Sequence, residues 1–569
     1  MKRKTLRINY AVFSPWKMNA KRLCLALASL VWFNNLVSAA NHYVRTPETC
    51  TNTTAQFPYV NWVDAATNIQ WAVDAAATGE TVWVSNGVYV LTNQIVVTNG
   101  ITLQSTNGPD VTIVNGNHNR CLSMSDSTGL VSGFTFSNGA SIAAGGGVCM
   151  YSGILSNCYV VNNIASNASG GGIYISPINA VIVTACRVTG NIVTNPTGSG
   201  DGGGIYARND FGQQGCTISG CVISNNAIKG TTTSRLGGGI YIYRVTVQSS
   251  MICNNDAGNG SGGGIYNNYY GTIQSCTVTV NQAQIAGGVG SQGGTIRDCK
   301  IVANYASNGG LESGGGLYLS PSVGDFSSVY NTIIAYNTNV GVRVDNANGG
   351  RIRLIDCFIE TNTQSGILIN GSAAANAVVS NCTIRGNNIG VKFNASANNT
   401  LRNCLIVDNT NSATGGGILI QTGVSTVSVS CCTIANNYSP NPGGGIRFEN
   451  SDPSISVSSS LICLNGVGGT NDVYDSASVN AGALQYSCVG TNPETYFTGA
   501  GIIVADPQFK NFAGRDFRLS ANSPCVNAGT NQDWMTTGID LDGRMRIRYG
   551  TVDMGAYECI YKGTIFGIH

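Results

Sequence analysis

Few residues in this chain are equipped for chemistry. Histidine occurs only at His42, His118 and His569. Nucleophilic hydrolysis or a His-based metal centre needs an imidazole beside a nucleophile or other ligands. His42 and His569 lie toward the chain ends, and His118 falls in the turn-like run Asn115-Gly116-Asn117-His118-Asn119. Elimination on an acidic sugar would instead need a Lys or Arg base and carboxylates that hold Ca²⁺ through several oxygens. Charged residues make up only 10% of the chain, so one cluster stands out: Asp298, Lys300, Arg353, Asp356, Glu360 and Arg385. Alignment on the repeat described below brings Glu360 and Arg385 into one column. The competing reading is a surface ion-pair ladder, worth about 0–1 kcal/mol per pair. Ca²⁺ enters only with the lyase reading, and no other cofactor is implied. Asp540-x-Asp542-Gly543 lacks the further ligands of a calcium loop and reads as a turn.

Aromatic residues offer a second chemistry. Tyr174, Tyr206, Tyr241, Tyr266 and Tyr318 each follow a Gly-Gly-Gly-Ile/Leu run. Each is out of phase with the neighbouring apolar residue, so it should point outward and line one face with Tyr243 nearby. Sugars stack on such rings, which join an apolar face to a polar tip. The alternative is a tyrosine ladder that only stabilises parallel strands. The glycine triplets lack a Lys and a following helix, which excludes a phosphate-binding loop.

The elements that must position these groups are set by an internal repeat. Cys-x-Ile/Val-x-x-Asn recurs at Cys158, Cys186, Cys221, Cys276, Cys299, Cys357, Cys382, Cys404 and Cys432, with degenerate copies from Gly133, Ser250, Thr332 and Ser460. Cys and Ile, two residues apart, face the same way on a strand. Both should enter a core, and the Asn should lie where the strand turns, because Asn tolerates left-handed backbone. Stacked in successive coils, these side chains would form an amide ladder. The intervals are too short for a strand–helix crossover and far below the 40–50 residues of a propeller blade. The expectation is all-β: a right-handed parallel β-helix of three short strands per coil, with an N-terminal helical cap and a C-terminal capping module. Thirteen coils at about 4.8 Å give a rod on the order of 60 Å.

The ends read differently. Lys2, Arg3, Lys4, Arg7, Lys17, Lys21 and Arg22 precede an apolar stretch, Leu23 to Leu36, and Val37-Ser38-Ala39 suits cleavage of an export signal. A membrane anchor would need a longer apolar stretch. Without those seven cations the chain keeps 23 basic against 28 acidic residues, which argues against nucleic acid. The division expected is a signal peptide over 1–39, a cap and first strands over 40–103, repeats over 104–465 and a C-terminal module over 466–569. Ile69, Val73 and Ala76 have helical spacing within 62–78, and Thr81–Val90 and Ile95–Leu103 read as the first strands. Nine of the 20 cysteines belong to the repeat column and should be buried thiols. Cys50, Cys121, Cys463, Cys488, Cys525 and Cys559 lie off it and are better placed for bridges. No Cys-x-x-Cys pair occurs, which argues against zinc.

After residue 466 come Asp506-Pro507-Gln508-Phe509, Ser523-Pro524-Cys525-Val526-Asn527-Ala528-Gly529 and Val552-Asp553-Met554-Gly555-Ala556-Tyr557-Glu558. This run resembles the module that ends many exported bacterial β-helix proteins of the choice-of-anchor Q type. The Gly-Gly-Gly-Ile and x-x-Ile-x-x-Asn repeats are similar to those of polymorphic outer-membrane proteins and of the pectate-lyase-like class. The resemblance implies an exported, envelope-associated β-helix without fixing a chemistry. Such relatives continue into a membrane barrel or a sorting tail, whereas this sequence ends eleven residues after Glu558. The paired Asp and His-Gly motif of polygalacturonase-like hydrolases are both missing. Three functions fit: a binder of polysaccharide or cell-surface glycan without its own catalysis, a polysaccharide lyase or hydrolase, and an adhesin-like rod. The sequence leaves the oligomeric state open.

Overall fold

The computed structural model describes residues 39–47, 55–194, 200–210, 215–230, 235–308, 312–322, 324–346, 349–371, 376–394, 398–424, 426–449, 455–466, 472–476, 482–490 and 499–560. The expected export signal, Cys50 and His569 lie outside them. From Asn41 onward the chain winds as a right-handed parallel β-helix. Among the described residues sheet 1 has 17 strands, including Asn41–Val44, Gly153–Ser156 and Arg351–Ile355. Sheet 2 carries the Cys-x-Ile segments, such as Tyr159–Val161 and Phe358–Glu360. Sheet 3 has 15 strands among the described residues and carries the residues after the glycine triplets, such as Ile173–Ile175. Each strand pairs in parallel with its equivalent one coil on, as in Val160↔Val188↔Ile223↔Ile252.

Two left-handed residues per coil make the bends of the repeat. One precedes the Cys position, as at Asn157, Ala185, Asp298, Asp356 and Asn403. The other precedes the repeat Asn, as at Asn162, Asn254, Val280, Ala303 and Thr361. The sequence reading placed the bend on the repeat Asn itself; the structure moves it one residue earlier. That shift frees the repeat Asn to turn inward, where it is fully buried. Asn163, Asn191, Asn226, Asn255, Asn281, Asn304, Asn337, Asn362, Asn387, Asn409, Asn437 and Asn465 form one continuous ladder. Asn255 is typical. Its Nδ2 donates to Asn281 Oδ1 at 2.9 Å and to the Ile223 carbonyl at 2.9 Å. Its Oδ1 accepts from Asn226 N at 3.0 Å and Nδ2 at 2.9 Å.

The Cys column is buried, and its described thiols are free. The structure also explains three of the four degenerate copies; the one read from Gly133 is a residue out of register, since Phe134 lies opposite Cys158 and Asn138 is the left-handed bend residue. Cys276 Sγ donates to the carbonyl two residues back, Gln274, at 3.2 Å. Ser250 Oγ does the same to Gln248 at 2.8 Å, and Thr332 Oγ1 to Tyr330 at 2.7 Å. The position takes a small side chain with one donor for the turn carbonyl, and Cys, Ser and Thr all supply one.

The N-terminal cap is a helix shorter than its sequence pattern, Ile69–Ala75, which we call α1. Asn68 caps it by accepting from Gln70 N at 2.8 Å, and Ile69, Ala72 and Val73 are buried. Residues before Asn68 are not helical, because Ala66 bridges to Val44 of the first strand. Thr81–Val90 and Ile95–Leu103 are each divided by a bend, giving Thr81–Val84, Gly87–Val90, Ile95–Val97 and Thr102–Ser105. At the other end, winding continues beyond 465 through Val473–Asp475, Leu484–Gln485 and Cys488–Val489. Residues 506–560 then fold back along the flank. Phe517 joins Leu405, Val407 and Ala435 on the outer side of sheet 2, with Phe509 and Phe512 against them. Arg546 is buried with Glu558 at 3.3 Å and reaches Asn403 Oδ1 at 3.3 Å. Among the described residues no helix is long and apolar enough to cross a membrane.

The ladder and its bend make different demands on adjacent residues. Asn255→Ala strands donors and acceptors in two neighbouring coils and should cost about 2–4 kcal/mol. Asn254→Gly, at φ 56° on the exposed bend, should stay within about 0.5 kcal/mol of the parent. Urea unfolding of the two variants checks this, and equal losses would contradict it.

Candidate functional site

The tyrosine column forms in the expected register, Tyr174↔Tyr206↔Tyr241↔Tyr266, on the outer side of sheet 3. The expected open face does not. The rings lie on one another, with centroids 5.2, 4.7 and 6.1 Å apart and planes within 11°. Tyr206, Tyr241 and Tyr266 keep only 8, 3 and 6% exposure, so their faces are spent on each other. Parallel in-register strands space equivalent residues by about 4.8 Å, close to a ring-stacking distance. The glycine turn packs behind them: a Cβ on Gly262, at φ 72°, would sit 2.9 Å from Tyr266 Cβ. Gly290 interrupts the column, and Tyr318 lies beyond it beneath Arg343, 5.7 Å from ring to guanidinium, with its hydroxyl 3.3 Å from Asp345. Beside the stack, Asp201 accepts from Leu236 N at 3.0 Å, and burial pushes its carboxyl up to about 7.

The charge cluster spreads over two sheets and the bend between them. Glu360 and Arg385 pair in register on sheet 2, with Nε 2.6 Å from Oε2. Lys300 shares that sheet but stands two coils away from Phe358, about 10 Å along the axis. Asp298 and Asp356 are left-handed bend residues. Asp298 is held by Arg297 at 3.3 Å and by Asn331 Nδ2 at 2.8 Å. Arg353 lies across the bend on sheet 1. The six residues share a flank without meeting at one point. Asp540 and Asp542 are occupied too: Asp540 Oδ1 accepts from Asp542 N and Arg544 N, and Asp542 takes Arg518 bidentately.

Open aromatic surface occurs instead where sheet 3 hands the chain to sheet 1. Arg208 and Arg244 lie over the Tyr243 ring at 5.4 and 5.2 Å, and Arg244 also lies over Tyr270 at 5.3 Å. Arg244, Tyr269 and Tyr270 are all left-handed, at φ 55°, 60° and 53°, a conformation that bulky residues seldom adopt. It throws their side chains out of the strand register, and Tyr270 is 58% exposed. Tyr269 is anchored to Ser322 Oγ at 2.8 Å. About three coils on from Arg244, roughly 14 Å along the axis, Phe326 lies between Arg351 and Arg353 at 5.6 and 5.8 Å. Arg351, Arg353, Asn376 and Val378 line a groove of about 170 Å³ there. Arg208 is paired with Asp210 at 2.7 Å. Among the described residues Arg244, Arg351 and Arg353 form no ion pair. The sequence reading singled out Arg353 and Tyr243 and missed Arg208, Arg244, Tyr270, Phe326 and Arg351. Alignment on the Cys position loses register across the variable loops that separate these residues from the next strand.

The family model described as "Right handed beta helix region" matches residues 315–482. No curated protein matches the sequence. Among solved structures, the chain is similar to pectate lyase Pel9A at 12% identity and a TM-score of 0.25, over 91% of this chain and 96% of that one. It is similar to the A-module of the mannuronan C-5 epimerase AlgE6 of Azotobacter vinelandii at 14% identity and 0.28, over 77% and 94%. It is also similar to the catalytic unit of the GH87 alpha-1,3-glucanase of Streptomyces thermodiastaticus strain HF3-3 at 15% identity and 0.30, over 73% and 70%. Likenesses this distant carry nothing about chemistry. What stands from the structure itself is a parallel β-helix.

Asp201 makes the tyrosine side of the site sensitive to pH. Its folded value lies above the ordinary carboxylate value, so the folded state binds the proton more tightly than the unfolded chain does. Its contribution to stability is complete below about pH 4 and is lost as pH rises through about 7. Asp201→Asn keeps an acceptor for Leu236 N and cannot ionise. Its melting temperature should exceed the parent's at pH 8 and match it near pH 4; a gap that is the same at both pH values would show that Asp201 does not titrate in this window.

Proposed function

We propose that this is an exported, cell-surface or extracellular β-helix protein that binds acidic polysaccharide along the sheet 3–sheet 1 edge, without catalysis of its own. The observation that carries this reading is the pairing of exposed rings with unneutralised guanidinium groups. Arg244 with Tyr243 and Tyr270, and Arg351 and Arg353 with Phe326, repeat one motif at two places on one flank. A pyranose ring packs on an aromatic face, and a uronate carboxylate accepts bidentate bonds from a guanidinium. Two such points about 14 Å apart suit an extended polymer better than a single small ligand, and binding at both raises the effective concentration at each. The basic, then apolar N-terminal sequence and the choice-of-anchor-like C-terminal run support export and an envelope location. The spread of Asp298, Lys300, Arg353, Asp356, Glu360 and Arg385 lends the lyase reading no convergent base or calcium cradle.

The test is binding of polygalacturonate and alginate by the intact protein, with neutral glucan as the comparison. Arg244→Ala and Arg353→Ala should each weaken uronate binding about tenfold, near 1.4 kcal/mol. The loss should shrink as salt screens the exposed charges. Arg385→Ala, which breaks only the Glu360 pair, should leave binding unchanged. Equal affinity for neutral glucan, or release of unsaturated sugars with or without Ca²⁺, would overturn the proposal.

A further inference from the structure

We propose that Cys488 and Cys525 are a disulfide-forming pair that fastens the C-terminal segment to the last coil. The case rests on which way the two residues face. Cys488 begins the last Cys488–Val489 strand and pairs in register with Leu461, while Val489 pairs with Ile462. Ile462 and Val489 enter the central core; Leu461 and Cys488 belong to a separate cluster on the outer side. Cys525 reaches the same cluster from the opposite direction, on the segment that folds back over the coils. Its N–H is held by Ser523 Oγ at 3.1 Å and its carbonyl accepts from Met554 N at 3.1 Å. Both thiols are fully buried and free, and both belong to that one cluster.

The repeat-column thiols are also neighbours, as Cys357 and Cys382 are in successive coils. Those residues sit on parallel strands, and their Cα–Cβ bonds point the same way, which a disulfide tolerates poorly. Each column thiol also has its own turn carbonyl, such as Ser380 for Cys382 at 3.3 Å. Cys488 instead faces outward from the last coil and meets Cys525 of the overlying segment in one cluster, its thiol also reaching the Ala505 carbonyl at 3.4 Å. The remaining thiols of that cluster are Cys463, in a neighbouring coil, and Cys559, whose Sγ lies 3.7 Å from the Leu519 carbonyl.

The oxidant required is a low-molecular-weight disulfide such as oxidised glutathione. One cysteine thiol loses its proton and attacks a glutathione sulfur, releasing one glutathione thiolate and leaving a mixed disulfide. The second cysteine thiolate attacks the mixed disulfide at the protein sulfur and expels the other glutathione thiolate. Two electrons pass from the cysteines to glutathione, and the two protons end on the released thiols. Because both sulfurs are buried, the exchange belongs to the stage before the C-terminal segment closes. The bond formed closes a loop over the residues between, and a cross-link of that kind stabilises mainly by restricting the unfolded chain.

The experiment uses the full chain, refolded in a glutathione redox buffer or in dithiothreitol, then denatured, alkylated and digested with trypsin. Cys463 and Cys488 fall on one tryptic peptide, so fragment ions must assign the bond. We expect the oxidised protein to be about 2 Da lighter than the reduced one, with Cys488 joined to Cys525 and a higher melting temperature. Cys488→Ser or Cys525→Ser should abolish the link, and Cys463→Ser should leave it. Complete alkylation of both cysteines after oxidative refolding, or a bond from either to Cys463 or Cys559, would overturn the assignment. The parent's bond map decides the matter even if a serine variant fails to fold.

Discussion

The buried amide ladder is the constraint from which the rest of the molecule follows. An amide side chain has two donors and an acceptor with two lone pairs, and a buried one is costly unless they are used. In each coil all are used, by the next coil's amide, the previous coil's strand carbonyl and the previous coil's backbone and side-chain N–H groups. This works only if every coil passes through the same point in the same orientation. The ladder therefore fixes register at one bend and moves all variation in coil length elsewhere. Its last member, Asn465, donates its backbone N and its Nδ2 to Asp472 Oδ1, at 2.7 and 2.9 Å. A carboxyl group brings no amide N–H that would need an acceptor in a further coil, so it can end the row.

Much of this was legible because the repeat reports on the two bends that never change length. Cys and Ile two residues apart gave the core direction, and the spacing to Asn gave the ladder. The left-handed position escaped notice because it carries no common residue: Asn162, Val280, Ala303, Thr361 and Leu464 all occupy it. Backbone strain there is imposed by the ladder and does not select a residue type. Ser250, Thr332 and Ser460 looked like decay of the Cys motif, yet their hydroxyls serve the same turn carbonyl. The short helix α1 was overread because apolar spacing continues beyond the point where Ala66 is drawn into a bridge with the first strand.

The C-terminal segment answers the exposed end of a solenoid by an indirect route. It lies along the outer side of coils that are already closed, where Leu405, Val407 and Ala435 present an apolar surface. Farther down the same sheet the outward residues include Phe358 and Met251, 48 and 46% exposed. The segment covers the part of this face nearest the last coil and leaves the rest in solvent. Arg546 and Glu558, buried together within it, make its seat specific to the coil that supplies Asn403. Hence the Val-Asp-x-Gly-Ala-Tyr-Glu run serves attachment of the segment, with Asp553 accepting from Asn527 N and Cys559 N, both at 2.6 Å.

The contrast between the two sets of aromatic rings shows where such a fold can hold a ligand. Tyr174, Tyr206, Tyr241 and Tyr266 sit in perfect register, and register is what closes their faces: the coil repeat brings ring onto ring and leaves no room for a sugar. Tyr270 and Arg244 escape this fate because their left-handed turns lie in the stretch where coil length varies. Gly290 makes the same point from the other side, since one missing ring in the column ends the stack and leaves Tyr318 to a guanidinium. In-register stacking supplies rigidity by consuming surface. On the proposed reading, recognition belongs to the turns at which the repeat is broken, and those turns are also the places a repeat-based reading of the sequence sees least well.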